Sequence, residues 1–167
     1  MKDKSKNGKL TPTEEINNIT LIVGKFVHIT VEIEASIDLI IGNHFYNDDN
    51  IIKMYEFIFP NLTLRAKCEI FKQILDKHYN QKYVKYKNKI DLNKIREKRN
   101  KFAHSQIYYH TNKDGNKDYS KIEFVRYSGM KQGKDVIDLK KLDDDFKFFK
   151  IQLSELLKLH KEIYPSL

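Results

Sequence analysis

Thr11-Pro12-Thr13-Glu14-Glu15 reads as a helix start. Thr is a favoured N-cap, Pro fits the first helical position, and acids in the first turn suit the positive end of the helix dipole. Apolar residues then recur at Ile16, Ile19, Val23, Phe26, Ile33, Ile37, Ile40 and Phe45, mostly three and four apart, with Thr30 at the missing seam position. The spacing predicts one helix over about 13–46, on the order of 50 Å long. Gly24 and Gly42 are weak points within it, and Asn47-Asp48-Asp49-Asn50 is its expected end.

Shorter helices follow. One is expected over about 51–58, stopping before Pro60. The next spans about 63–80, capped from Asn61–Thr63, with Leu64, Cys68, Phe71, Ile74 and Leu75 inward. Residues 81–90 are polar and link or extend it. Asp91 caps a further helix over about 92–105 carrying Leu92, Ile95, Phe102 and Ala103. The pattern then changes to strand character at 106–110, 122–127 and 135–139, separated by turns at 112–116 and at Gly129 and Gly133. A closing helix presents Leu142, Phe146, Phe149, Leu153, Leu156 and Leu157, ends near Tyr164, and has Asp143, Asp144 and Asp145 in its first turn. The expected fold is mainly α: residues 1–10 as a flexible basic tail, and 11–167 as a single helical domain with a small β-meander inserted at about 106–139.

Composition narrows the function classes. The chain has 167 residues, with 31 Lys and Arg against 23 Asp and Glu, a net charge of +8. That length allows a hydrophobic core in one domain. The charge suits a polyanion such as RNA and equally suits simple solubility. With one cysteine, Cys68, no intrachain disulfide forms and a Cys-based zinc site is excluded. No signal-peptide core and no run of about 18 apolar residues is visible, so a cytoplasmic location away from membranes is expected. The sequons at Asn18 and Asn61 then read as chance.

The informative stretch is Ile95-Arg96-Glu97-Lys98-Arg99-Asn100-Lys101-Phe102-Ala103-His104. Leu92, Ile95, Arg99 and Phe102 share a stripe, so Arg99 lies on or beside the core-facing side. A buried guanidinium is costly unless paired, so Arg99 has a carboxylate partner or faces a functional cleft. Glu34 and Glu32 on the long helix are the candidate partners. Asn100 and His104, four apart, share a helix face. The plain alternative is a surface basic cluster with a His favoured at a helix end.

Arg99-Asn100-Lys101-Phe102-Ala103-His104 resembles the signature of the HEPN superfamily: an Arg, a gap of four to six residues opening on a polar one, then His. The resemblance extends over about 13–164, and the inserted strands depart from the minimal bundle. It implies an up-and-down helical bundle and a metal-independent endoribonuclease that leaves 2′,3′-cyclic phosphate and 5′-OH ends. It also implies a homodimer whose two motifs meet across a two-fold groove, and a role as a toxin or phage-defence effector, with an antitoxin such as a nucleotidyltransferase. His104 would transfer protons, Arg99 would hold phosphoryl oxygens, Asn100 would orient the His or the phosphate, and Glu34 would support Arg99. No cofactor or metal is implied. The same resemblance admits a catalytically silent module that dimerises or binds RNA or a partner protein. An unrelated basic helical adaptor is a third reading.

Weaker RNA-binding candidates are Arg96, Lys101, Tyr108 and Tyr109, the last two just beyond the motif. Tyr79, Tyr83 and Tyr86 interleave with lysines, which suits base stacking or closure of a linker against the bundle. His28, His44, His78, His110 and His160 have no metal-ligand spacing with one another.

Overall fold

The N-terminal helix begins with the reciprocal bonds of a capping box. The Glu14 N–H donates to Thr11 Oγ1 at 3.3 Å, and the Thr11 N–H donates to the Glu14 carboxylate at 2.8 Å. A computed structural model describes residues 10–45, 52–128 and 131–165. The tail (except Leu10), the 47–50 stop and the Gly129 turn lie outside the described residues.

Helix α1 runs Pro12–Phe45. Its buried stripe is Phe26, Ile29, Ile33, Ile37, Ile40 and Ile41. Ile16 and Phe45, expected inward, are instead 64% and 55% exposed. At Ile16 the reason is what lies alongside. The first turns of α1 meet the sheet through Glu15, which Lys117 and Tyr119 bond, and Ile16 faces the open cleft between them.

A π-helical turn, Met54–Ile58, passes into a 3-10 turn, Phe59–Asn61, that carries Pro60 near its start. The expected stop before Pro60 is thus only a change of helix type, because Pro fits an early helical position. Helix α2, Leu64–His78, is capped by Thr63, whose hydroxyl accepts from the Ala66 N–H at 3.2 Å. The short α3, Asn80–Tyr83, leads into turns that bury Tyr83 and Tyr86. These tyrosines therefore close a linker. Tyr86 donates to Glu162 at 2.7 Å. Helix α4, Leu92–Ala103, starts at Asp91, which accepts from the Lys94 N–H at 2.9 Å. It buries Leu92, Ile95 and Phe102 but leaves Ala103 exposed.

Three antiparallel strands follow in the order β1 (Gln106–Thr111), β2 (Lys117–Ser128) and β3 (Lys131–Asp138). Helix α5, Leu139–Ile163, closes the chain. It begins earlier than its apolar stripe suggests, so Asp143–Asp145 sit one turn in. Asp145 there pairs with Lys98. Leu157 is exposed, and Leu159 and Ile163 are core. Buried Gln152 on α5 accepts from the Asp91 N–H at 2.7 Å and donates to the Lys89 carbonyl at 2.9 Å, so the last helix fixes where α4 starts.

The domain is mainly helical, with α1 packed on α2, α4 and α5. Phe26 stacks on Phe102 at 3.8 Å between ring centroids, and Phe102 meets Phe124 of β2 edge-on at 5.0 Å. Burying each such ring contributes roughly 2–3 kcal/mol. This column holds α4 between α1 and the sheet, and Phe102 sits between the residues of interest. One 18-residue window of α1 has a mean hydropathy of 1.2, enough by length and composition to cross a membrane. Counting uninterrupted apolar residues overlooks it. Only 17% of that window is buried, and the fully buried Ile37 and Ile40 of α1 follow it.

Candidate active site

Arg99 is half-buried on α4 and has no carboxylate partner among the described residues; its one bond is from Nη1 to Asn100 Oδ1, long at 3.4 Å. It faces a cavity of about 110 Å³ lined by Val27, Thr30, Val31 and Glu34 of α1 and by Arg99, Phe102 and Ala103 of α4. Arg99 thus faces a cavity and not a carboxylate among the described residues.

Glu34 lines that cavity but does not pair with Arg99. Its carboxylate accepts from Lys67 Nζ at 2.7 Å, and the same ammonium donates to Asp38 at 2.7 Å. The expected Glu34–Arg99 bridge is corrected by geometry. Glu34 and Asp38 are four apart on one face of α1, and Lys67 of α2 enters between them almost fully buried. Burial works against the Lys67 ammonium, but its hydrogen bonds to Asp38 and Glu34 outweigh it and hold its pKa above the usual lysine value. Burial pushes the Asp38 carboxyl up, more than Lys67 pulls it down, and Asp38 Oδ1 has no hydrogen-bond partner. With both acids ionised the trio carries one net negative charge, beside the Arg99 cation. Glu32 faces solvent with His28.

His104 is the residue that ends α4. Its N–H bonds the Asn100 carbonyl at 3.1 Å, and its backbone has left the helical region. Its exposed imidazole makes no hydrogen bond among the described residues. Asn100 is exposed beside it. An imidazole and a guanidinium without ionic partners among the described residues thus lie five residues apart, about 1.4 turns, at the end of a helix locked by Phe102. Such a pair can transfer protons and hold an oxyanion.

The weaker candidates divide. Arg96, half-buried one turn before Arg99, has no ion pair or hydrogen bond among the described residues. Tyr108 is exposed. Tyr109 is buried against Tyr119, 5.1 Å between rings, and its face is unavailable for stacking. Lys101 bonds Asp135 and lies over the Phe124 ring at 4.4 Å, so its ammonium braces α4 to β3. No group of three metal-ligating side chains occurs among the described residues.

Arg126 was not expected here. Its Nε donates to Ser105 Oγ at 3.2 Å, so it sits beside the residue that follows His104. The alternation Ile122, Phe124, Arg126 puts the arginine on the helix-facing side of β2, a signal present in the sequence. Comparisons with protein-family models, curated proteins and solved structures returned no match to this chain.

Proposed function

We propose that this chain is a metal-independent endoribonuclease of the HEPN type, working as a homodimer. The observation that carries this reading is the Arg99–His104 pair. Neither side chain has an ionic partner among the described residues, in a protein whose lysines are widely ion-paired. A half-buried guanidinium with no direct ion pair among the described residues, set against a cavity, suits a site that takes an anion.

The chemistry is a transesterification. The ribose 2′-oxygen attacks phosphorus, the phosphorus–5′-oxygen bond breaks, and a 2′,3′-cyclic phosphate and a 5′-OH result. One proton leaves the 2′-OH and one reaches the departing oxygen, both within the reach of imidazole chemistry. Arg99 supplies a planar fork to the phosphoryl oxygens, and Asn100 orients them. Two proton transfers call for two groups, and each chain offers one motif imidazole. A two-fold pair supplies both. Supporting that pairing, α1 exposes Ile16, Leu21, Val27 and Val31, and the last two line the Arg99 cavity. A toxin or phage-defence role, with a nucleotidyltransferase-like antitoxin, follows from the same reading.

The same apolar face favours a second reading, a silent module that docks a partner protein or binds RNA without cutting it. Purified protein incubated with structured RNAs in EDTA separates the two. Cleavage to cyclic-phosphate ends supports the enzyme, and retention of intact RNA supports the module.

A further inference from the structure

We propose that Arg126 of β2 holds a backbone phosphate next to the scissile one, making the β insert a substrate-binding wall of the His104 site. This rests on the ribonuclease reading above.

Helix α4 ends at Ala103, His104 caps it, and β1 begins at Gln106. The register Gln106↔Val125 continues to put Ser105 opposite Arg126, and the Nε–Oγ bond at 3.2 Å follows from that pairing. The bond uses Nε alone. Both terminal nitrogens of Arg126 remain free, and the side chain is exposed with no carboxylate partner among the described residues. On the other side of β2, Arg126 pairs with Gly133, where a Cβ would meet nothing within 4 Å. The β3 neighbour of Arg126 thus carries no side chain.

Lysines of α4 and of the sheet behave differently. Lys101 is held by Asp135, Lys98 by Asp145, Lys117 by Glu15 and Lys134 by Glu123. Arg96, Arg99 and Arg126 have no carboxylate partner among the described residues. A guanidinium anchored through Nε keeps its two-pronged end for phosphate oxygens, which an ammonium cannot match. Arg99, half-buried against the cavity, suits the reacting phosphate. Arg126, exposed and bonded to the residue after His104, suits a neighbouring phosphodiester of a single strand.

The test compares wild type, Arg126→Gln, Arg126→Lys and Ser105→Ala on a single-stranded RNA oligonucleotide, with Arg65→Gln as a matched loss of charge at an exposed pair on α2. Cleavage kinetics and the salt dependence of binding are both read. Arg126→Gln is expected to raise KM about tenfold, the loss of one charged hydrogen-bonded contact, with kcat within about threefold. Its log-affinity against log-salt slope should fall by about 0.7, one phosphate contact on a single strand. Arg126→Lys should recover the slope but only part of KM, Ser105→Ala should raise KM less, and Arg65→Gln should change neither. An active wild type with unchanged KM and slope in Arg126→Gln overturns the proposal and leaves the ribonuclease reading standing. A wild type that binds RNA without cutting, with a reduced slope in Arg126→Gln, keeps the phosphate contact and removes the ribonuclease reading. A wild type that neither binds nor cuts overturns both.

Discussion

Glu34 and Arg99 line one cavity of about 110 Å³ from facing helices, yet the Glu34 carboxylate is bonded to Lys67 at 2.7 Å. The acid that the sequence offers to the arginine is already held. The ion pairs at this cavity are those of the Lys67–Asp38–Glu34 trio, and Arg99 has no carboxylate partner among the described residues.

This division separates stability from activity. Lys67→Met leaves two acids, one of them buried, without their cation, and should cost about 3–5 kcal/mol in chemical denaturation. Arg99→Ala breaks no ion pair and should cost about 1 kcal/mol or less. Arg99→Lys should be as stable as wild type but defective in cleavage, since an ammonium lacks the planar fork. Equal destabilisation by Lys67→Met and Arg99→Ala would show that Arg99 is structural.

Stability should fall as pH drops below about 6.5. Burial holds the His160 pKa below its ordinary value, and burial together with neighbouring His78 does the same for His44. Both cap one end of the helical core: His160 accepts from Asn43 at 2.9 Å, and His44 contacts Tyr79. Between the folded and unfolded pKa values the unfolded chain binds more protons, so folding weakens as pH falls through that window. Thermal melts from pH 7.5 to 5 check this, and His44→Asn with His160→Gln should flatten the dependence.

Pairing of two chains should depend on the exposed α1 face. Val27 and Val31 are 48% and 58% exposed and border the Arg99 cavity. Wild type should sediment as a dimer at micromolar concentration. Val31→Glu should be monomeric, within a few degrees of the wild-type melting temperature, and inactive. A fully active wild-type monomer would remove the need for a two-fold site.

The helices were legible because their signals are local. Thr11, Thr63 and Asp91 each cap as their types and positions dictate, and the three- and four-residue spacing located the buried faces of α2 and α4. The ends of the α1 stripe were less legible, since periodicity gives a face without saying how far its partners extend; Ile16 is the instance. In the candidate site, Arg99 stood out by lying on its helix's apolar stripe, and His104 was joined to it by the HEPN resemblance. The Glu34–Lys67 pairing did not, because it joins residues 33 apart whose meeting depends on how α1 and α2 pack. Arg126 was hidden similarly: strand alternation puts it on the helix-facing side, but only the β1–β2 register brings it to Ser105. Tyr109 was misjudged because its alternation with Tyr108 decides which of the two is buried.

The most direct measurement is end-group analysis of RNA incubated in EDTA with wild type and with His104→Ala. The exposed His104 contributes at most about 1–2 kcal/mol at its helix end, so the variant should remain folded. Wild type should yield 2′,3′-cyclic phosphate and 5′-OH ends, and His104→Ala should yield none. Cleavage that persists in His104→Ala, that requires a divalent metal, or that leaves 3′-OH ends would contradict the roles assigned to His104 and Arg99.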